Sequence, residues 1–164
     1  MAKRNDLLDV PITVEWSGKS NRRHFLNYLI QKNKFTTMAE IGVRDGRTTF
    51  HLLNQNPNLT IYAIDNNISL FYNNEIKKKY RDRLIPIQGN SSLMANKIPM
   101  VDLIFIDADH SYQGCSKDIQ AYKNKIKKGG ILTGHDIDYP GVNKAVKELI
   151  GKFDVGPNNV WIAN

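Results

Sequence analysis

Short apolar runs punctuate the chain at residues 38–42, 59–64, 84–87, 101–106 and 131–133, and most of the segments between them are long enough to hold a helix. Strand-length apolar runs alternating with helix-length segments predict parallel strands joined by crossover helices. Ahead of the first run, residues 21–32 place Phe25, Leu26, Leu29 and Ile30 at helical spacing, so an N-terminal amphipathic helix is expected there. Two further apolar stripes lie late in the chain. Ile119, Tyr122 and Ile126 mark one helix, and Val142, Ala145, Val146, Leu149 and Ile150 mark another. The second has start signals in Asp138, which can cap it, and Pro140, whose missing N–H costs nothing in a first turn. Residues 153–155 and 160–163 flank the turn-forming Gly156-Pro157-Asn158-Asn159 and read as a terminal strand pair, one member of which closes the sheet antiparallel.

Composition bounds this α/β reading without changing it. A chain of 164 residues, 41% hydrophobic and 24% charged, is the size of one globular domain and excludes wholesale disorder. No apolar run approaches the roughly 18 residues of a membrane span, and Asp6 and Asp9 interrupt the basic N-terminus where a signal peptide would be apolar. Cys115 is the single cysteine, which excludes an intrachain disulfide and a cysteine-based zinc site, and a reducing, cytoplasmic setting is expected. The 23 Lys and Arg against 16 Asp and Glu give a formal +7, compatible with nucleic acid, an anionic small substrate or plain surface solvation.

Candidate chemistry is sought at the carboxyl ends of the strands, where open α/β sheets hold their ligands. The first strand runs into Glu40-Ile41-Gly42-Val43-Arg44-Asp45-Gly46, whose glycines permit positive φ and close backbone approach. The second ends at Asp65, followed by Asn66, an acid placed to accept hydrogen bonds from both hydroxyls of a ribose. Arg44 and Arg47 stand where the dinucleotide fingerprint needs its second and third glycines, and no Gly-Lys-Ser/Thr follows a strand. A nucleoside without a pyrophosphate is the better fit.

These residues resemble the class I S-adenosylmethionine-dependent methyltransferases, whose first motif has the acidic-x-Gly-x-x-x-Gly form of Glu40 to Gly46. The resemblance extends over Met38 to Ile150. Asp65 matches the family's ribose-binding acid, Gly89-Asn90-Ser91 its adenine-contacting segment, and Phe105-Ile106-Asp107-Ala108-Asp109-His110 its fourth motif. The run from Ile106 to Tyr112, with Lys128 to Asp136 and Tyr139-Pro140-Gly141-Val142, is similar to a subgroup of small-molecule O-methyltransferases acting on sugars, phenols or natural products. The resemblance implies a Rossmann-like fold with a mostly parallel seven-stranded sheet, an antiparallel strand near the C-terminus and helices on both faces. It implies one domain, with residues 1–35 an N-terminal extension and helix and 36–164 the catalytic core. It also implies S-adenosylmethionine as cofactor, contacted by Glu40, Gly42, Arg44, Gly46, Asp65, Asn66, Gly89, Asn90, Ser91 and Asp107.

The ends of the fourth and fifth strands carry Asp107, Asp109, His110, His135 and Asp136, and adjacent parallel strands bring such ends within about 5 Å. Carboxylates and imidazoles at that separation can coordinate a divalent cation with positions open for substrate oxygens. Metal-dependent relatives would make the ligands of Mg²⁺ or Mn²⁺ Asp107, His135 and Asp136. His135 departs from the carboxylate usual there, and a nitrogen ligand suits Mg²⁺ poorly. The alternative is a metal-free site in which His110 or His135, with Asp107, serves general-base chemistry.

Three basic clusters, Lys19-Arg22-Arg23, Lys77 to Arg83 and Lys123 to Lys128, keep a nucleic-acid methyltransferase as a second reading. Neither an aromatic-rich RNA-binding signature nor the Asn/Asp-Pro-Pro-Tyr/Phe motif accompanies them. Lys123 to Lys128 suit a helix C-terminus, and Arg22 and Arg23 sit on a helix that can fold over the substrate mouth. A non-catalytic nucleoside-binding protein is a third reading. So short a core leaves the acceptor site either open or completed by a second subunit in a homodimer.

Overall fold

A computed structural model describes residues 21–163. In chain order the elements are α1 (Asn21–Asn33), β1 (Thr37–Ile41), α2 (Arg47–Gln55), β2 (Thr60–Asp65), α3 (Asn74–Tyr80), β3 (Leu84–Gln88), β4 (Val101–Ile106), α4 (Tyr112–Tyr122), β5 (Ile126–Gly134), α5 (Pro140–Leu149), β6 (Phe153–Val155) and β7 (Trp161–Ala163). They form one seven-stranded sheet in the order β3-β2-β1-β4-β5-β7-β6. The first five strands in this order are parallel to their neighbours, whereas β7 runs antiparallel to β5 and β6. The sheet therefore has the mostly parallel, C-terminally antiparallel architecture that the apolar pattern implied.

Alternation along the strands builds two cores, because successive side chains point to opposite faces. Met38, Ile61, Leu103 and Phe105 pack against Phe25, Leu26, Leu29 and Ile30 of α1 and Leu52 and Leu53 of α2. Ala39, Ile41, Ile104 and Ile106 pack against Ile119 and Tyr122 of α4 and Val142, Ala145 and Val146 of α5. Each enclosed Leu, Ile or Phe contributes roughly 1.5–3 kcal/mol relative to exposure, so the four α1 side chains hold that helix firmly on the sheet.

The chain departs from its expected pattern near the fifth strand. Ile126 does not continue the α4 stripe: Lys123–Lys125 form a 3-10 turn after Tyr122, and Ile126 opens β5, opposite Val101. The strand crosses Gly129-Gly130 with a register shift between Val101 and Leu103, so its first half reads as a loop in sequence. Lys127 and Lys128 consequently belong to a strand and not to a helix end. Tyr139, not Asp138, is the N-cap of α5, and Pro140 takes the first turn. Lys19 lies outside the described residues. No helix among the described residues is long and apolar enough to cross a membrane.

Candidate active site

The strand order reverses direction between β1 and β4, and the open crevice of an α/β sheet lies at such a switch point. Hydrogen bonding carries the ladder just past the strand ends. Gly42 N–H donates to Ile64 O at 2.9 Å, Gly89 N–H to Asp65 O at 3.0 Å, Asp107 N–H to Ile41 O at 2.8 Å and His135 N–H to Ile106 O at 2.9 Å. Four polar chain segments thereby line up along one edge. Gly42 has φ +88°, and a Cβ there would lie 2.2 Å from the carbonyl oxygen of Asp107, so only glycine lets β1 and β4 close this tightly. The resulting cavity has a volume of about 830 Å³ and is lined by the residues expected at the site, from Glu40 to Asp136, with the exception of Gly46, which sits behind the turn. That volume suits a nucleoside-sized ligand.

Asp65 organises one half of the cavity. Its Oδ2 accepts the backbone N–H groups of Val43 and Arg44 at 2.9 and 2.8 Å, and its Oδ1 accepts that of Asn67 at 2.9 Å. The carboxylate thus holds the glycine turn while still lining the cavity. Gly46, in the left-handed region at φ +78°, begins α2 without a side-chain cap. Ser91 follows β3 and donates its hydroxyl to Asp118 Oδ1 of α4 at 2.5 Å, while Tyr122 O–H donates to the Ser91 carbonyl at 2.7 Å.

Glu40 stands on the α1/α2 face of β1, one alternation beyond Met38, and is only 2% exposed. Burial pushes its carboxyl up to about 8, with Asp107 and Asp65 adding to the rise and the hydroxyl of Thr49, which donates to Oε2, and Arg22 opposing it. A carboxyl raised in this way is stabilised in its charged form by a cationic group brought beside it.

The other half gathers the ends of β4 and β5. His110 Nε2 lies 2.8 Å from Asp136 Oδ2 and 3.9 Å from Asp107 Oδ1. His135 Nδ1 lies 2.8 Å from Asp136 Oδ1 and 3.6 Å from Asp107 Oδ1. Asp136 adopts φ +57°, a left-handed conformation unusual for a side chain and found at strained functional turns. Burial works against charge on His135, but hydrogen bonding to Asp107 and the charges of Asp107 and Asp136 outweigh it and raise the imidazole above its ordinary range.

The expected residues divide in their placement. Asp107, His110 and Asp136 can offer ligand atoms that all lie within 4.8 Å of one another. His135 approaches both carboxylates from the buried side and is not part of that trio. Asp109 turns away to accept the Ser111 N–H at 2.8 Å, a bond that with the Ser111 side chain holds its carboxyl below the usual range. Of the lining residues that the sequence reading does not assign to the site, two carry charge at its heart: Asp118, and Arg22, which is expected only on a helix that can fold over the substrate mouth. Asp118 is buried among Cys115, Ile119 and Tyr122 on α4, and its Oδ2 has no hydrogen-bond partner among the described residues. An acid on an apolar helical stripe is the signal that marks it. Arg22 reaches from α1 to within 3.5 Å of Asp107 Oδ2, a contact that depends on how α1 docks.

A methyltransferase domain family model matches residues 39–137, more than half of the chain. Among solved structures, an O-methyltransferase from Bacillus cereus in complex with SAH is 18% identical, covering 90% of this chain and 81% of that one with a TM-score of 0.69. The cofactor-bound Rv0187 from MTB is 16% identical, with 91% and 82% covered and a TM-score of 0.71. CalS11, a TDP-rhamnose 3'-O-methyltransferase of calicheamicin biosynthesis, is 16% identical, with 98% and 90% covered and a TM-score of 0.65. An uncharacterized protein, R132, of Acanthamoeba polyphaga mimivirus is 35% identical over 60 residues, a match spanning 34% of this chain and 27% of that relative. With the glycine turn, the acid ending β2 and the seven-stranded sheet in place, the chain belongs to the methyltransferase domain family and has the Rossmann-like methyltransferase fold.

Proposed function

We propose that the protein transfers the methyl group of S-adenosylmethionine to a hydroxyl of a small molecule, with His110 as the proton acceptor. The observation that carries this reading is the 2.8 Å contact between His110 Nε2 and Asp136 Oδ2 at the mouth of the cavity. A ring donating Nε2–H to the carboxylate keeps its lone pair on Nδ1, where it can take a hydroxyl proton. His110 is 41% exposed on its side chain and meets the exposed ring of Tyr139 at a tilt, with ring centroids 4.8 Å apart, so an acceptor can reach it from solvent. Asp65 would hold the ribose hydroxyls, and Gly89, Asn90 and Ser91 would border the adenine. Glu40, with Gly42, Arg44, Gly46 and Asn66, would surround the remainder of the cofactor. Transfer from a sulfonium is an in-line displacement, so holding the oxygen opposite the methyl group supplies much of the acceleration. The neighbouring O-methyltransferase structures support oxygen as the nucleophile and a small molecule as its carrier.

Asp107, His110 and Asp136 also fit a divalent cation, two carboxylates and an imidazole being an ordinary ligand set for Mn²⁺. Such an ion would supply Lewis-acid stabilisation of the acceptor oxygen. The test is a mass-spectrometric screen of phenols, catechols and sugars with S-adenosylmethionine, run with and without EDTA. The His110 reading expects an O-methylated product that forms in both arms. Loss on chelation, with recovery on Mn²⁺, would move the trio from base chemistry to metal chemistry.

A further inference from the structure

We infer that Arg22 is a resident cation of the β4/β5 cluster, competing with divalent metal for Asp107 and tying the first turn of α1 to the state of the site. Its Nη1 lies 3.5 Å from Asp107 Oδ2 and 3.4 Å from His135 Nδ1. The second approach is not a bond. His135 Nδ1 is 2.8 Å from Asp136 Oδ1, so its proton is donated to that carboxylate and no lone pair remains for a guanidinium that is itself only a donor. Asp107 is therefore the ion-pair partner of Arg22 in the cluster, with the buried Glu40 carboxyl also within reach of its charge. The Asp107 carboxylate is divided: Oδ1 faces His110 and His135, while Oδ2 faces Arg22. A divalent ion held by Asp107, His110 and Asp136 would share this carboxylate with a second positive charge, and two like charges on one acid repel.

The helix cannot back away as a unit, because Phe25, Leu26, Leu29 and Ile30 fix it to the sheet. What can move is the Arg22 side chain, which is 34% exposed, together with the opening turn of α1. Arg22 thus discriminates against cation binding at the cluster until it is displaced. This goes beyond the methyl-transfer reading and needs only Mn²⁺ and the protein for its test, whereas SAH binding, measured separately, tests the cofactor site.

Mn²⁺ affinity is read by electron paramagnetic resonance for the full chain and for Arg22→Gln, Arg22→Lys and Arg22→Gln/Asp107→Asn. Because the guanidinium is partly solvated, its removal is expected to tighten Mn²⁺ binding by about tenfold. Arg22→Lys should stay near the unmodified protein, and the added Asp107→Asn should abolish the gain. Hydrogen exchange on the unmodified protein supplies a readout independent of any variant's folding: amides of the second turn of α1, whose acceptors are the carbonyls of the opening turn, should exchange faster when Mn²⁺ is added. Equal or weaker Mn²⁺ binding by Arg22→Gln, retention of the gain in the double variant, unchanged exchange, or absence of Mn²⁺ binding throughout would overturn the proposal.

Discussion

The buried acids at the carboxyl end of the sheet, on β1 and α4, are held in the opposite way from the acid at its amino end. At the amino end, Asp102 opens β4 with its Oδ2 accepting from Thr36 N–H at 3.0 Å, Thr37 N–H at 2.9 Å and the Thr37 hydroxyl at 2.7 Å, while Lys127 lies 3.1 Å from Oδ1. Partial burial would raise this carboxyl, but these hydrogen bonds outweigh it and hold the group down at about 2. At the carboxyl end, Glu40 is pushed up to about 8 and Asp118 to about 6, in both cases chiefly by burial. The first acid has all the donors it can use and joins β1, β4 and β5. The others are enclosed with too few donors, in the cavity where a ligand would supply more. A fold built only for stability would resemble its amino end throughout. The contrast marks which end is organised for binding and proton transfer.

Substitutions should separate the two ends. The largest effect is expected from His110→Ala, which removes the proton acceptor and should lower turnover by about 10²- to 10⁴-fold in a methyl-transfer assay. Its global stability, read by urea denaturation, should change by no more than about 1 kcal/mol because the ring is 41% exposed and its removal opens no enclosed cavity. Next, Asp65→Ala should weaken SAH binding by calorimetry by roughly 10- to 100-fold, as expected for losing charge-assisted hydrogen bonds worth about 1.5–3 kcal/mol. Asp102→Ala should do the reverse, costing about 2 kcal/mol of stability as it strands the donors of Thr36 and Thr37, while SAH affinity stays unchanged.

The smallest effects concern pH, and here the signs are opposite. Glu40 binds its proton more tightly folded than unfolded, so in the ligand-free protein its contribution to stability falls as pH rises from about 4.5 to about 8. Glu40→Gln should flatten that slope in denaturation curves. Asp102 is depressed in the folded state, so the stability it adds is present above about pH 4 and is lost as pH falls towards 2. Equal slopes for Glu40→Gln and the unmodified protein between pH 5 and 8, an interval set by the unfolded and folded carboxyl ranges, would remove Glu40 from the contrast.

Much of this organisation is legible in the residues themselves. Alternating apolar runs announce β1 to β4, since their burial is a local pattern repeated at every second position. Gly42, Asp65 and the polar ends of β4 and β5 mark the cavity because parallel strands bring consecutive ends to one edge. The first half of β5 is not legible. Its Lys-Lys-Gly-Gly sequence lacks a strand pattern and is held by pairing to Val101 across a register shift. Nor does residue order reveal that Asp109 turns back on Ser111 while His110 faces Asp136, a choice made by the local turn. Arg22 belongs to the site only because a helix distant in sequence packs beside β4, and packing of that kind has no local signature.

The most direct test is a crystal structure with SAH bound. The account places the ribose hydroxyls on Asp65, the adenine beside Gly89, Asn90 and Ser91, and the sulfur facing Asp107 and His110. SAH seated elsewhere, for example in the groove beside Lys77, Lys78 and Arg81 at the β3 edge, or oriented with its sulfur away from His110, would contradict it.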